Sequence, residues 1–200
     1  MRVIAGELRG RTIRTGEGGG CRPATGKVRQ AVFSMLEARG LCYEGLAVLD
    51  LFAGSGSLGI EALSRGAERV WFVEADRRLA SLIGENLAAF GVAGARWRVL
   101  AADALAVLRR RPQARFGLIC IDPPYGKNLL APALAAALDR DWLAPGGFLL
   151  AEIEARAAFD PARDAAGLAL ETDRTYGQTR IILWSRPIPE SPCTPEPSTP

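Results

Sequence analysis

Asp122-Pro123-Pro124-Tyr125 closes an apolar run, Leu118-Ile119-Cys120-Ile121, whose length and composition predict a buried strand. Each proline lacks an N–H and fixes φ near about −65°, and the residue before each is pushed out of the helical region. The backbone carbonyls are thereby held in a stiff, extended corner. Asp122 and the Pro123 carbonyl can together accept hydrogen bonds from one exocyclic –NH2 group, while Tyr125 lies flat on the ring that carries it. Pro124 completes the corner. This spacing predicts a site that reacts an amino nitrogen on a planar substrate. A strand ending in a Pro-rich turn with an aromatic plug is the plain alternative. A second ligand signature upstream weighs against it.

That signature is Val48-Leu49-Asp50-Leu51-Phe52-Ala53-Gly54-Ser55-Gly56-Ser57-Leu58-Gly59, a short apolar strand, a glycine-rich turn and the start of an amphipathic helix. Gly54 and Gly56, with Ser55 between them, let backbone approach a ligand closely, and the helix N-terminus offers N–H groups to an anion. The run is formally G-x-G-x-x-G, with Glu74 twenty positions after Gly54, so a dinucleotide fingerprint is satisfied too. Asp50 argues for S-adenosylmethionine instead: a carboxylate at the strand end would repel a pyrophosphate and welcome a methionine ammonium. Glu74 would accept from two ribose hydroxyls. Asp103, followed by Ala104, would accept from the adenine amine, with a helix N-cap as its equal rival, and Asp76 is expected to cap a helix. Phe52 belongs to the same loop. The carboxylates also admit Mg2+, but none has the close spacing of a dedicated cage, so no metal is expected.

These residues need a scaffold that gathers them. Apolar runs predict strands near 47–52, 69–75, 97–102, 116–122 and 147–153, separated by helical patterns near 57–66, 77–90, 103–111 and 129–139. Leu79, Ile83, Leu87 and Phe90 recur at helical spacing before Gly91, and Pro145-Gly146-Gly147 reads as a turn before the fifth strand. Strands near 168–175 and 179–184 flank Tyr176-Gly177-Gln178 as a hairpin. The alternation predicts an α/β fold, a doubly wound Rossmann-like sheet, mostly parallel with an antiparallel last pair. Asp50, Glu74, Asp103 and Asp122 then fall at or just beyond four strand ends, where such sheets bind ligands.

With 200 residues and 48% apolar content the chain can fill one α/β domain. No run of 18 apolar residues and no signal-peptide layout is present, so a cytoplasmic protein is expected. Cys21, Cys42, Cys120 and Cys193 lack C-x-x-C spacing and are expected as reduced thiols, Cys120 in the core. The absence of histidine removes Ser-His-Asp and Cys-His catalysis and histidine metal sites.

Residues 1–40 differ in character. They hold eight Lys/Arg against three Glu, a net +5 in a chain whose total is +3. Arg2–Ile4 and Arg11–Arg14 predict a small hairpin around Gly10. A flexible Gly16–Gly20 stretch follows, then a helix from Thr25 to Arg39 that buries Val28, Val32 and Leu36 and leaves Lys27 and Arg29 free. A merely solvated basic surface is the alternative. Segregation of charge beside a site for a planar amine favours contact with a nucleic-acid backbone. The chain thus divides into a basic extension (1–40), a catalytic domain (41–185) and a tail (186–200) whose six prolines predict disorder.

Arg2-Val3-Ile4-Ala5-Gly6, Leu8-Arg9-Gly10-Arg11 and Arg22-Pro23-Ala24-Thr25 to Arg29 resemble the opening of the bacterial 16S rRNA guanine-N2 methyltransferases of the RsmD type. Asp50–Gly59 resembles motif I of class I methyltransferases, and Asp122–Tyr125 resembles the D/N-P-P-Y/F motif of amino-group methyltransferases. With Tyr176-Gly177 the resemblance spans roughly 1–185. The family usually carries R-P-T-T-D-x-x-R-E, where this chain has Ala24, Gly26 and Gln30. The resemblance implies S-adenosylmethionine as methyl donor. It implies a guanine of 16S rRNA as acceptor, on the small ribosomal subunit or its assembly intermediate, with the protein acting as a monomer away from membranes. Arg9, Arg11, Arg22, Thr25, Lys27, Arg29, Lys127 and Tyr176 are the implied RNA contacts. DNA bases or a protein glutamine are rival amine substrates, and a non-catalytic RNA-binding factor is a rival of another class; an eroded loop or D-P-P-Y would mark the latter, and both are intact.

Overall fold

A computed structural model describes residues 1–16 and 26–189. Most of the Gly16–Gly20 stretch, Cys21, the Arg22–Thr25 segment, Cys193 and the tail beyond 189 lie outside the described residues. In chain order the elements are α1 (Gly26–Ala38), β1 (Ala47–Leu51), α2 (Ser57–Ser64), β2 (Arg69–Glu74), α3 (Arg77–Ala89), β3 (Trp97–Ala101), α4 (Ala104–Leu108), β4 (Phe116–Ile121), α5 (Leu130–Asp139), β5 (Leu143–Glu154), β6 (Ala169–Tyr176) and β7 (Thr179–Ser185).

The seven strands form one sheet in the order β3-β2-β1-β4-β5-β7-β6. Strands β1 to β5 pair in parallel, and β7 inserts antiparallel between β5 and β6. This is the doubly wound class I methyltransferase arrangement. The order reverses between β1 and β4, so the carboxyl ends of those strands bound the crevice where such sheets take ligands. Asp50 sits one residue before the end of β1, and Asp122 directly follows β4.

Each strand sends alternate side chains to two cores. One face packs Val48, Phe72, Leu118, Cys120 and Leu150 under α1, α2 and α3; the other packs Leu49, Val73, Ile119, Ile121 and Leu149 under α4 and α5. Cys120 is buried as expected, and Cys42 is exposed; both are free thiols. Among the described residues no helix is long and apolar enough to cross a membrane.

The N-terminal hairpin forms as expected: Arg2 bridges Thr12 antiparallel, Val3 N–H donates to Arg11 O at 3.0 Å and Ile13 N–H to Met1 O at 2.8 Å, and the hairpin is then tied to the body. Ile4 and Ala5 N–H donate to the Glu61 carboxylate of α2 at 2.8 and 3.0 Å, and Leu8 N–H to Ser64 Oγ at 3.0 Å. Two expectations change further along the chain. The Pro145-Gly147 turn does not precede β5 but lies inside it as a bulge: Leu143 pairs with Phe116 and Phe148 with Leu118. The tail does not loosen at Arg186. Its N–H donates to Gly147 O at 2.8 Å, and its guanidinium meets Asp141 at 2.6 Å and the Leu143 carbonyl.

Candidate active site

The glycine-rich loop turns sharply out of β1. Phe52 (φ 57), Gly54 (φ 54) and Gly56 (φ 74) all take left-handed backbone, a costly conformation for an aromatic residue that the surroundings must impose. A Cβ at Gly59 would meet the Phe72 ring at 2.3 Å, so this glycine lets α2 lie on β2. Ser55 sits between the two loop glycines.

Three carboxylates hold the loop side together. Asp50, 2% exposed, accepts from Gly59 N–H in the first turn of α2 at 2.9 Å. Burial pushes its pKa up to about 7; the Gly59 bond opposes this and the Glu74 charge adds to it. Asp50 therefore braces α2 against β1 from beneath the loop rather than standing open to a ligand. Glu74 accepts from Gly54 N–H with one oxygen and from Asp76 N–H with the other, both at 2.8 Å. Asp76 caps α3 as expected, accepting from Arg78 and Leu79 N–H at 2.7 and 3.3 Å. Asp103 caps α4 through Ala106 N–H at 2.7 Å, the reading that rivalled an adenine contact, and its side chain remains exposed; Ala104 behind it is buried. Glu74 and Asp103 stand at or just beyond the ends of neighbouring strands, where oxygen acceptors suit hydroxyl and amine donors such as those of S-adenosylmethionine, and the buried Asp50 offers charge from beneath the loop rather than a direct contact.

Across the crevice, Asp122 N–H reaches Leu51 O at 3.4 Å and ties the D-P-P-Y turn to the loop strand. The half-buried Asp122 carboxylate accepts no hydrogen bond from the described residues. Burial, then the charges of Glu152 and Asp50, hold its pKa well above the usual carboxylate range. Pro123 is buried and Pro124 exposed. The Tyr125 hydroxyl shares a hydrogen bond with Thr179 Oγ1 at 3.1 Å, which fixes its ring against the β6–β7 hairpin. Tyr176 pairs with Thr179 across that turn and packs on the α1-side core, so it does reach the neighbourhood of Tyr125. Lys127 is exposed just beyond Gly126. A cavity of about 190 Å3 lies on the α5 side of the turn, walled by Pro124, Tyr125, Leu129, Ile153 and Phe159. The alternation that buries Cys120 under α1 carries Asp122 to that same side, away from this cavity.

The basic residues divide. Arg29, expected free, is 1% exposed and is corrected to a core residue: α1 buries Arg29, Val32, Phe33 and Leu36, a face turned from the one Val28, Val32 and Leu36 suggested. Its guanidinium donates to the Arg2 carbonyl and to the Met1 sulfur and lies 3.8 Å from Glu61, leaving Nε without a hydrogen-bond partner. Burial pulls its pKa down while Glu61 pulls it up; Arg65 lowers it further and Glu152 raises it. Lys27 is exposed at the start of α1. Arg9 and Arg11 are exposed but follow the residues bonded to Ser64 at the far end of α2, and Arg11 stacks 5.9 Å over Phe90 at the end of α3. Arg11 thus sits roughly 20 Å, the length of α3, from the helix start that follows β2. Arg22 and Thr25 are outside the described residues.

Sequence reading missed Glu152, Glu61 and Thr179. Glu152 was findable: a charged residue inside the apolar run Phe148-Leu149-Leu150-Ala151-Glu152-Ile153 of a strand buried on both faces is a departure that needs a reason.

A family model described as Conserved hypothetical protein 95 matches residues 1–185. Ribosomal RNA small subunit methyltransferase D of Escherichia coli (strain K12) is 31% identical over 186 residues, covering 93% of this chain and 90% of the relative. The protein of the same name from Haemophilus influenzae is 34% identical over 155 residues, covering 77% and 79%. The solved structure of the Escherichia coli protein yhhF aligns with a TM-score of 0.82 at 30% identity, over 94% of this chain and 98% of that one. With its glycine loop and D-P-P-Y turn in place, the chain belongs to the Conserved hypothetical protein 95 family, the RsmD-type methyltransferases.

Proposed function

We propose that the protein transfers a methyl group from S-adenosylmethionine to the exocyclic N2 amine of a guanine in 16S rRNA, on the small ribosomal subunit or its assembly intermediate. The observation that carries this reading is the D-P-P-Y turn beside the glycine loop across the β1/β4 switch point, tied by the Asp122–Leu51 bond. The names of the relatives point to small-subunit rRNA, and the D-P-P-Y chemistry points to an amine on a ring.

Glu74 would hold the two ribose hydroxyls, Asp103 the adenine amine through its second oxygen, and Asp50 would face the ammonium with negative charge from beneath the loop. Bound S-adenosylmethionine supplies a methyl group on an electrophilic sulfonium. The guanine leaves its stack, as base-modifying enzymes require, and lies on Tyr125. Asp122 and the Pro123 carbonyl accept from its two amine protons. That favours a pyramidal nitrogen and aims its lone pair at the methyl carbon. A C–N bond forms as the C–S bond breaks, with the electron pair going to sulfur. Positioning carries most of the acceleration. The positive charge that develops on nitrogen is stabilised by the Asp122 carboxylate until one N2 proton leaves.

The test is transfer of radiolabelled methyl from S-adenosylmethionine to small-subunit particles lacking base methylation, followed by nucleoside digestion. Label in N2-methylguanosine is expected. Label in another nucleoside, or only in protein, overturns the substrate.

A further inference from the structure

Asp122 and the Pro123 carbonyl bind an amine but do not say whose. Adenine and cytosine carry exocyclic amines too, and a turn that holds only –NH2 would take all three. What distinguishes guanine is the atom beside the amine. Guanine N1 bears a hydrogen and donates, whereas the ring nitrogen beside the amine of adenine or cytosine is a bare acceptor. A residue selecting guanine must therefore be an acceptor placed next to Asp122.

Glu152 occupies that position. Cys120 pairs with Leu150 and Ile121 with Ala151, so continuing the register sets Glu152 level with Asp122 on the neighbouring strand, about 4.8 Å away in backbone spacing. Leu118, Cys120 and Leu150 all point to the α1 side, and alternation carries Asp122 and Glu152 to that side as well. Their charges act on each other: after burial, the neighbouring Glu152 charge does most to raise the Asp122 pKa.

Glu152 is 4% exposed, yet its carboxylate accepts no hydrogen bond and makes no ion pair within 4 Å among the described residues. A structural role would be a clasp with Arg29, whose charge it feels. Arg29 spends its guanidinium on the Arg2 carbonyl, Met1 and Glu61 instead. On its other flank Glu152 pairs with apolar Ile181 of β7. Among the described residues only Arg29 Nε is a fully sealed side-chain atom without a hydrogen-bond partner, so the Glu152 oxygens, unpaired by protein, keep contact with solvent and stand open to an incoming donor. Burial raises the Glu152 pKa to about 7, with Arg29 opposing, as for an acceptor whose donor has yet to arrive.

We infer that Glu152 is a specificity residue that accepts the guanine N1–H while Asp122 holds the neighbouring N2 amine. This rests on the guanine-N2 reading above. The two adjacent carboxylates together read the donor–donor edge of guanine. An adenine or cytosine amine on Asp122 would set a lone pair against Glu152. Sites built to hydrogen-bond a group reject analogues lacking it far more strongly than apolar pockets do.

The test uses 2-aminopurine, which keeps the N2 amine but has a bare N1. Small-subunit particles are reconstituted with guanine or 2-aminopurine at the methylated position, and kcat/KM for labelled methyl transfer is measured with the intact protein and with Glu152→Gln. The intact protein is expected to prefer guanine by about 100-fold. In Glu152→Gln, whose amide can turn its N–H toward a bare N1, the preference falls to about tenfold or less, with 2-aminopurine turnover equal to or above that of the intact protein. The missing O6 of 2-aminopurine affects both proteins alike and cancels in the comparison. An unchanged preference, or equal losses on both bases with S-adenosylmethionine binding intact, overturns the inference. Absence of discrimination by the intact protein overturns it without any variant. If the intact protein does not label guanine at all, the guanine-N2 reading fails, and the inference with it.

Discussion

The two sides of the crevice treat their carboxylates differently. On the loop side Asp50, Glu74 and Asp103 each accept from backbone N–H groups at 2.7–2.9 Å. On the turn side Asp122 and Glu152 accept nothing from the described residues, and burial holds both above the ordinary carboxylate range. The loop side is a scaffold already satisfied by its own chain, so it keeps its shape whether or not a ligand is present. The turn side carries acceptors that no group among the described residues satisfies, left open to an incoming donor. Two carboxylates held side by side away from bulk water cost stability, a cost that the proposed recognition of the substrate edge would explain.

The contrast breaks most sharply at the chemistry. Asp122→Ala should lower turnover by about 10³-fold or more, because it removes both the aim of the amine and the charge beside the developing cation, while calorimetric affinity for S-adenosylmethionine stays within about twofold. Glu74→Ala should do the reverse. Affinity for S-adenosylmethionine falls by about 10–100-fold, with loss of the ribose contacts and of the brace on Gly54, and turnover at saturation is largely kept. If Asp122→Ala abolished cofactor binding instead, the division of labour across the crevice would be wrong.

A smaller effect tests what the buried loop-side charge costs. The Asp50 carboxyl has an ordinary value of 3.8 and a folded value of about 7, raised by burial and by Glu74 and lowered by Gly59 N–H. Cys120 and Asp122 face it from β4 and its following turn. Because the folded state holds the proton more tightly, the native chain carries more protons than the unfolded chain between pH 4 and about 7. Stability is therefore greatest below that interval and falls as pH rises through it. Asp50→Asn should remove this loss and stabilise the fold at pH 8 by about 1–3 kcal/mol, a rise of a few degrees in Tm. A Tm that rises between pH 5 and 8 in the intact protein, or falls at pH 8 in the variant, would show that Asp50 is held as a favourable ion.

The same contrast explains what could be read from the sequence. The loop side is local: Asp50 to Gly59 is one run, Glu74 closes the next strand, and helix caps announce themselves by spacing, so strands β1 to β5 and the loop residues emerge from periodicity and motif alone. Asp103 stays ambiguous because capping and ligand binding ask for the same residue at the same place. The turn side is built by pairing. Asp122 is visible through its prolines, but Glu152 lies thirty residues away in chain and becomes its neighbour only through the β4/β5 register. Arg29 misleads for a related reason. A helical wheel centred on Val28, Val32 and Leu36 is nearly as apolar as one centred on Arg29, Val32, Phe33 and Leu36. What chooses between them is Glu61 of α2 and the Arg2 carbonyl, neither of which the helix contains. The cavity beside Pro124 was equally invisible, since Leu129, Ile153 and Phe159 come from three separate segments.

That distinction between Lys27 and Arg29 gives the smallest and most discriminating prediction. Both are basic, both lie in the first turns of α1, and charge counting treats them alike. Lys27 is exposed near the crevice end of its helix, and among the described residues it makes no ion pair; Arg29 is sealed beneath that helix. If RNA phosphates approach over α1, Lys27→Ala should weaken binding to the ribosomal particle about fivefold at low salt. It should also reduce the slope of log affinity against log salt by about one, with kcat unchanged, because one released counterion is lost from the interface. Arg29→Met should leave that slope unchanged, since a guanidinium that never meets solvent displaces no counterions, and its effect belongs in thermal stability. A slope that shifts equally in both variants would mean that α1 opens on binding and turns Arg29 outward, making the N-terminal segment part of the substrate site rather than a cover over the core.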